Sequence, residues 1–416
     1  MKSKTREALL AYLFLVPSFV ILGMFVFWPV GFSFVLSFFR WDFKNMKNPA
    51  FAGLENYGEI FRFQSPLTHE FASSLLTSIV LFFVCFSIVF SMYAVFKKKK
   101  MGFVSIAISV SLMVLLQNRT FFTLLLCSLV ATMTYLILKT YRSIKIFLGK
   151  IFSLSLVAFI FLIIFDKRSY TVLDLFLEAR DRNLFIKAVY NTAYYVLLSV
   201  PITIALALVI ALLLNSNIKF RAFFRTAYFI PFVTSAVAIS LVWRWIFDDA
   251  YGLLNYMLSF LNVERIAWLK DERWTIPTIA IVSIWKTVGY DAIILLAGLQ
   301  NIDKSYYEAA EVDGATAWQK FLHITWPLLT PTTFFLLIVS LISSFKVFTE
   351  VYVLYSGLPG PYNNSGMTMV YYVFDRFYVQ QRMGIACAAA YILFGIILIF
   401  TAVQFLVGKK TVEYAS

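Results

Sequence analysis

Three carboxylates stand close together in one polar stretch, Glu308, Glu311 and Asp313, with small residues set among them at Ala309, Ala310, Gly314 and Ala315. Small side chains let a second surface approach the backbone, and carboxylates offer charge to a basic partner, so the chemistry available here is docking. An ordinary amphipathic loop would carry the same residue types. Helix formers without a breaker run from Lys304 to Val312, and Gly314 permits a positive φ. A second helix is expected to start at Thr316 and stop near Pro327. The expected product is a bent helix pair lying beneath an apolar layer.

A second set of candidates is charged residues within apolar runs: Lys286, Asp291, Lys346 and Glu350. Charge in hydrocarbon is costly and is normally turned toward a bundle interior, a cavity or another charge. Lys346 and Glu350 stand four residues apart and could pair on one helix face. Asp291, beside Tyr290, could instead accept a hydrogen bond from a polyol hydroxyl. Trp285, next to Lys286, offers the kind of aromatic face on which a sugar ring stacks, as do Trp243, Trp245, Tyr371 and Tyr372. With aromatics at 19% of the chain, each of these alone reads equally well as a packing or interfacial residue.

No catalytic residue and no metal ligand set is expected. The Gly-x-x-x-x-Gly-Lys-Ser/Thr phosphate loop does not occur, so ATP is not hydrolysed by this chain. His69 and His323 are far apart in sequence, and Cys85, Cys127 and Cys387 lie in apolar runs without a partner at metal spacing. Energy for any work must come from partners or from an ion gradient.

The elements that must position these residues are membrane-spanning helices. The chain has 416 residues, 61% hydrophobic and 14% charged, with a mean hydropathy of +0.81. Soluble domains carry about 25% charged residues, so a soluble enzyme and a disordered chain are both excluded. With about 20 residues per crossing, candidate spans fall at 9–38, 75–96, 101–116, 120–138, 148–165, 190–214, 226–247, 275–299, 332–355 and 383–407. A re-entrant hairpin at 101–138 would reduce ten crossings to eight, and either even number puts both termini on one side. The net charge of +14 is concentrated in clusters between spans, including Lys2 to Arg6, Lys97 to Lys100 and Lys219 to Arg225. That is the positive-inside pattern with both termini cytoplasmic, and it argues against nucleic acid as a partner. The first run is too long for the apolar core of a cleaved leader and reads as a retained span.

The run EAAEVDGATAWQKFLHITWPLLTP, Glu308 to Pro331, resembles the EAA motif of the membrane subunits of ATP-binding-cassette importers, with Glu-Ala-Ala, Asp-Gly-Ala and the spaced Phe321, Ile324, Pro327 and Pro331 all in place. Trp285-Lys286 to Gln300, Asn191-Thr192, Arg225 to Pro231 and Gly53-Leu54-Glu55-Asn56-Tyr57 are similar to the sugar-importer branch, that of the maltose and glycerol-phosphate permeases. The resemblance covers 1–62 and 185–408.

The resemblance implies an all-α polytopic transmembrane helical bundle, a six-span type I importer core plus about four extra spans. Three regions follow: 1–62 with the first core span and an external segment, 63–184 as an inserted bundle, and 185–416 as the rest of the core with a coupling loop at 300–331. It implies that Glu308 is the charge contact to a cytoplasmic ATPase, Ala309, Ala310 and Ala315 the close-packing surface, and Asp313 and Gly314 the turn, where an added side chain should jam the bend. Trp285, Lys286, Tyr290, Asp291, Lys346 and Glu350 become candidates for the substrate path.

The implied function is the permease subunit for a sugar, oligosaccharide or polyol phosphate in a prokaryotic plasma membrane. Implied partners are ATPase subunits that use ATP and magnesium, a second permease forming a heterodimer, an external substrate-binding protein and membrane lipid, with no cofactor bound by this chain. An ion-coupled secondary transporter and a membrane transferase acting on lipid-linked sugar are the alternatives.

Overall fold

Trp-Pro occurs twice in long apolar runs, at Trp28-Pro29 and Trp326-Pro327, and the backbone prepares for both prolines in the same way. Proline lacks an N–H and its ring collides with the carbonyl four residues back. In the computed structural model, which describes residues 2–96, 156, 170–216 and 219–411, each Trp-Pro follows a π turn, Gly23–Phe27 and Phe321–Thr325. The wider turn moves the offending carbonyl away, and the helix continues through the proline.

The first helix therefore runs as α1 (Lys2–Leu22), the π turn and α2 (Trp28–Leu36). A two-stranded antiparallel hairpin, β1 (Phe39–Arg40) and β2 (Ala50–Phe51), leads to α3 (Glu55–Ile60). Next come α4 (Phe71–Phe96), α5 (Val172–Arg182), α6 (Leu184–Asn215), α7 (Arg221–Val233), α8 (Ala236–Ile246), α9 (Leu253–Ser259) and α10 (Glu272–Gln300). The chain ends with α11 (Lys304–Val312), α12 (Ala317–Lys320), α13 (Trp326–Ser344), α14 (Thr349–Leu354), α15 (Met369–Phe374) and α16 (Met383–Thr411).

Among the described residues five stretches are long and apolar enough to cross a membrane: Tyr12–Leu36, Leu184–Asn215, Glu272–Gln300, Ala317–Ser344 and Met383–Gly408. The span expected at 226–247 is instead two helices, α7 and α8, bent by 99°. Pro231 leaves a carbonyl of α7 without its donor, and Thr234 then turns to an extended conformation (φ −72°, ψ 145°) that ends the helix. The span expected at 332–355 starts at Ala317 and stops at Ser344, and the second helix of the polar stretch does not end near Pro327. The early start and the missing stop have one cause, the π turn that carries the chain through Pro327 and Pro331, while the end at Ser344 is a separate break in the helix. The expected spans 101–116, 120–138 and 148–165 lie outside the described residues, Leu156 excepted.

Contacts divide the chain into one unit of Met1–Arg62 and Asn183–Ser416 and a second of Phe63–Arg182. In the first, α6 and α10 form the central pair. Ala207, Ala211 and Leu214 meet Ala292, Leu295, Leu296 and Leu299, with Leu329 and Leu336 of α13 closing the cluster. Small residues at such a seam allow the close backbone approach on which helix association in lipid depends. Gly289 takes this furthest: a Cβ there would lie 1.8 Å from the Tyr228 carbonyl oxygen, so α10 and α7 touch backbone to backbone.

The Gly53-Leu54-Glu55-Asn56-Tyr57 segment has a physical role. Asn56, 4% exposed, donates to the carbonyl of Ser37 (2.8 Å), which the end of α2 leaves open, and to that of Phe39 (2.9 Å) in β1. Tyr57 hydroxyl meets Ser37 Oγ at 2.8 Å, and Arg382 pairs with Glu59 at 2.5 Å. Replacing Asn56 by leucine strands two buried acceptors, and about 2 kcal/mol of stability is expected to go with them. A thermal melt of the purified chain, several degrees lower than wild type, is the check.

Asn183, the cap of α6, accepts from the Ile186 N–H (2.9 Å) and donates to the carbonyls of Ile60 (2.9 Å) and Arg62 (3.0 Å). In the second unit, the Gln64 N–H donates to the Arg182 carbonyl at 3.0 Å. Glu178 there accepts from the Tyr170 hydroxyl and from the Thr68 N–H (2.9 Å) and hydroxyl (2.8 Å), and pairs with Arg182 at 2.6 Å. The Tyr170 hydrogen bond, helped by Thr68 and Arg182, holds the Glu178 carboxyl down at about 2.

Candidate functional site

The polar stretch folds as an elbow whose every turn has a local cause. Asp303 caps α11 by accepting from the Ser305 N–H at 2.9 Å, and that bond holds its carboxyl below the usual range. At the other end Gly314 sits at φ +73°. The Ala315 N–H reaches back to Ala310 O (2.9 Å) and the Gly314 N–H to Glu311 O (3.0 Å), the paired closure of a Schellman turn. Thr316 and Gln319 then start α12 with a reciprocal capping box.

Two side-chain links cross the elbow: Glu311 to Lys320 at 2.8 Å, and Tyr307 hydroxyl to Thr325 Oγ1 at 3.0 Å. The Lys320 hydrogen bond lowers the Glu311 carboxyl. Glu308, Ala309, Asp313 and Gly314 are exposed, Ala310 and Ala315 half-buried, and Glu308 has no ion-pair partner among the described residues. Val312 (89% exposed) and Trp318 (67%) add apolar surface to the same elbow. A Cβ on Gly314 would meet nothing within 4 Å. The expectation that a side chain there jams the bend is therefore corrected: the obstacle is its left-handed backbone, which costs a substituted residue roughly 1–2 kcal/mol.

Within the bundle, the pairing of Glu350 is not the one the spacing suggested. Its carboxylate meets Lys286 Nζ of α10 at 3.4 Å, with the two side chains only 13% and 20% exposed. Lys346 is exposed and unpaired among the described residues, because the helix breaks between Ser344 and Thr349 and the i, i+4 geometry is lost. The break is built in: Thr368 Oγ1 donates to the freed Val347 carbonyl at 3.0 Å, both groups buried. Beside the pair, Tyr195 of α6 neighbours Ser199 and Ser283, whose hydroxyl oxygens are buried.

Asp291 is 3% exposed and accepts from Ser340 Oγ of α13 at 3.4 Å. Tyr290 stacks on Phe232 of α7 at 4.3 Å, and Trp285, 45% exposed, meets Trp243 edge-on at 5.7 Å. Tyr371 and Tyr372 are buried packing residues, the former donating to the Gly357 carbonyl at 2.6 Å. The α8 and α14 half-helices pack together next to the Lys286–Glu350 pair, so broken backbone and buried charge coincide. Sequence reading missed Tyr195, Ser199, Ser283 and Thr368. The i, i+4 spacing of Tyr195 and Ser199 on one helix face was the available signal.

The profile of the family described as "binding-protein-dependent transport system inner membrane component" matches residues 175–412. The probable ABC transporter permease protein YesP of Bacillus subtilis is 37% identical over 229 residues, covering 54% of this chain and 72% of that protein. The arabinooligosaccharides transport system permease protein AraP of Bacillus subtilis is 35% identical over 223 residues, covering 53% of this chain and 70% of its own. The crystal structure of a bacterial ABC transporter involved in the import of the acidic polysaccharide alginate contains a chain that aligns with 64% of this one and 97% of its own length, at 25% identity and a TM-score of 0.52. With more than half its length inside the profile and a helical membrane bundle of matching architecture, the chain belongs to the family of binding-protein-dependent transport system inner membrane components, the permease subunits of ABC transporters.

Proposed function

We propose that this permease forms half of the path by which a sugar, oligosaccharide or polyol phosphate enters a prokaryotic cell, driven through the elbow at Lys304–Lys320. The observation that carries the reading is the elbow itself: a rigidly capped turn that presents Glu308, Ala309, Ala310, Asp313, Gly314 and Ala315 with Glu308 unmatched. A basic groove on a cytoplasmic ATPase answers that charge, and the small residues let it come close. ATP and magnesium then belong to the ATPase. Both termini lie in the cytoplasm, in keeping with the basic clusters between spans.

A second permease subunit completes the path as a heterodimer, and an external binding protein delivers cargo. The carbohydrate assignment is supported by the names of the relatives, which include permeases for arabinooligosaccharides and lactose. Lys286, Glu350, Asp291, Tyr290 and Trp285 line or support the substrate path, and Lys346 contributes from its exposed position at the helix break.

The test is affinity purification of the tagged chain from native membranes in mild detergent, followed by mass spectrometry. Wild type is expected to bring down a phosphate-loop ATPase and a second permease. Glu308→Lys with Gly314→Asp is expected to lose most of the ATPase and keep the permease. Recovery of the wild-type chain alone would overturn the reading.

A further inference from the structure

The elbow is joined to the span that follows it by more than the peptide chain. Tyr307, immediately before Glu308, reaches across the bend to Thr325, which is 6% exposed and is the last residue of the π turn Phe321–Thr325. Thr325 Oγ1 in turn lies 3.4 Å from the Lys320 carbonyl, to which it donates, so the Tyr307 hydroxyl is the group that donates to Thr325. The other link, Glu311 to Lys320, has its carboxylate 65% exposed, and such pairs contribute about 0–1 kcal/mol. It also ends at Lys320, before the π turn begins.

This matters because the π turn is the compliant part of the span. Its hydrogen bonds run to the fifth residue, its carbonyls are loosely committed, and Pro327 and Pro331 remove two more donors just beyond it. A push entering only through α12 would be absorbed there by bending. The Tyr307–Thr325 bond bypasses that stretch and ties α11 to the point where regular helix resumes at Trp326.

Resting on the docking reading above, we propose that the Tyr307–Thr325 hydrogen bond is the strut that carries displacement of the docking helix past the π turn into the rest of the span Ala317–Ser344. Tyr307 is thus a positioning residue that touches neither nucleotide nor cargo. Sequence spacing gives no hint of it, since the partners are 18 residues apart across a bend.

The experiment uses the complex with its co-purified ATPase in lipid nanodiscs, spin-labelled at Leu337 on α13 and Leu206 on α6, both exposed. Double electron–electron resonance reads the distance between the labels before and after trapping with ATP and vanadate. Wild type is expected to shift. Tyr307→Phe and Thr325→Val are expected to lose more than half of that shift while the ATPase stays bound and hydrolyses ATP. Thr325→Ser, which keeps the hydroxyl, restores the shift, and the double variant is no worse than either single one. Thermal melts of all variants within a few degrees of wild type separate loss of the strut from loss of the fold.

A full shift in both Tyr307→Phe and Thr325→Val would overturn the strut alone, as would Thr325→Ser failing like valine. Absence of an ATPase from the wild-type complex would overturn the docking reading, and the strut with it.

Discussion

Alanine at position 289 is expected to strip the membrane of folded permease, and valine to do so completely. The first atom either residue adds would lie 1.8 Å from the Tyr228 carbonyl oxygen and 2.4 Å from its carbon, whereas ordinary contact begins at 3.4 Å. Those are backbone atoms of α7, so no side chain can swing aside. The helices must part by more than an ångström, which also unseats Tyr290 from Phe232. Overpacking a tight core costs about 1–3 kcal/mol where side chains can yield, and this site gives no such relief. Yield after detergent extraction and the melting midpoint are the measurements. Gly289→Ala with wild-type values in both would show that α7 is free to move away.

Removing either member of the buried pair is the second large effect. Lys286→Met leaves the Glu350 carboxylate in the bundle with no cation, and Glu350→Leu leaves the ammonium alone. Stranding one charge of a buried pair costs about 3–5 kcal/mol, while replacing both by apolar groups is often neutral. The double variant Lys286→Met with Glu350→Leu is therefore expected to melt close to wild type, several degrees above either single one. If the two losses simply add, the 3.4 Å contact carries no coupling and the pair is incidental.

What the residues revealed in advance depended on how local the cause was. The four apolar runs without an interior break gave their spans to within a few residues, since length and hydropathy alone decide them. The bent elbow was also legible, because its helix formers, Gly314 and Thr316 act within a turn of one another. The broken pair α7 and α8 was not. It depends on Thr234 taking an extended backbone after Pro231, and apolar composition is the same on both sides of the bend.

The long span Ala317–Ser344 was misjudged for a related reason. Pro327 reads as a stop from the sequence, and no residue type announces the π turn that precedes it. The partner of Glu350 was misassigned because i, i+4 spacing holds only inside one helix, and the break after Ser344 depends on Thr368, a residue 24 positions further on. Buried charges thus announce that a partner exists without saying which one.

The bonds from Asn183 to the carbonyls of Ile60 and Arg62 have a consequence in the terms of polymer physics. They fasten together the points at which the chain leaves the permease core and returns to it. From the standpoint of that core, everything from Phe63 to Arg182 is a closed loop whose end-to-end separation is already fixed. The entropy of closing such a loop grows only with the logarithm of its length, so each doubling costs about 0.6 kcal/mol. A change in the length of the chain between Arg62 and Asn183 therefore carries almost no penalty of loop closure for the core.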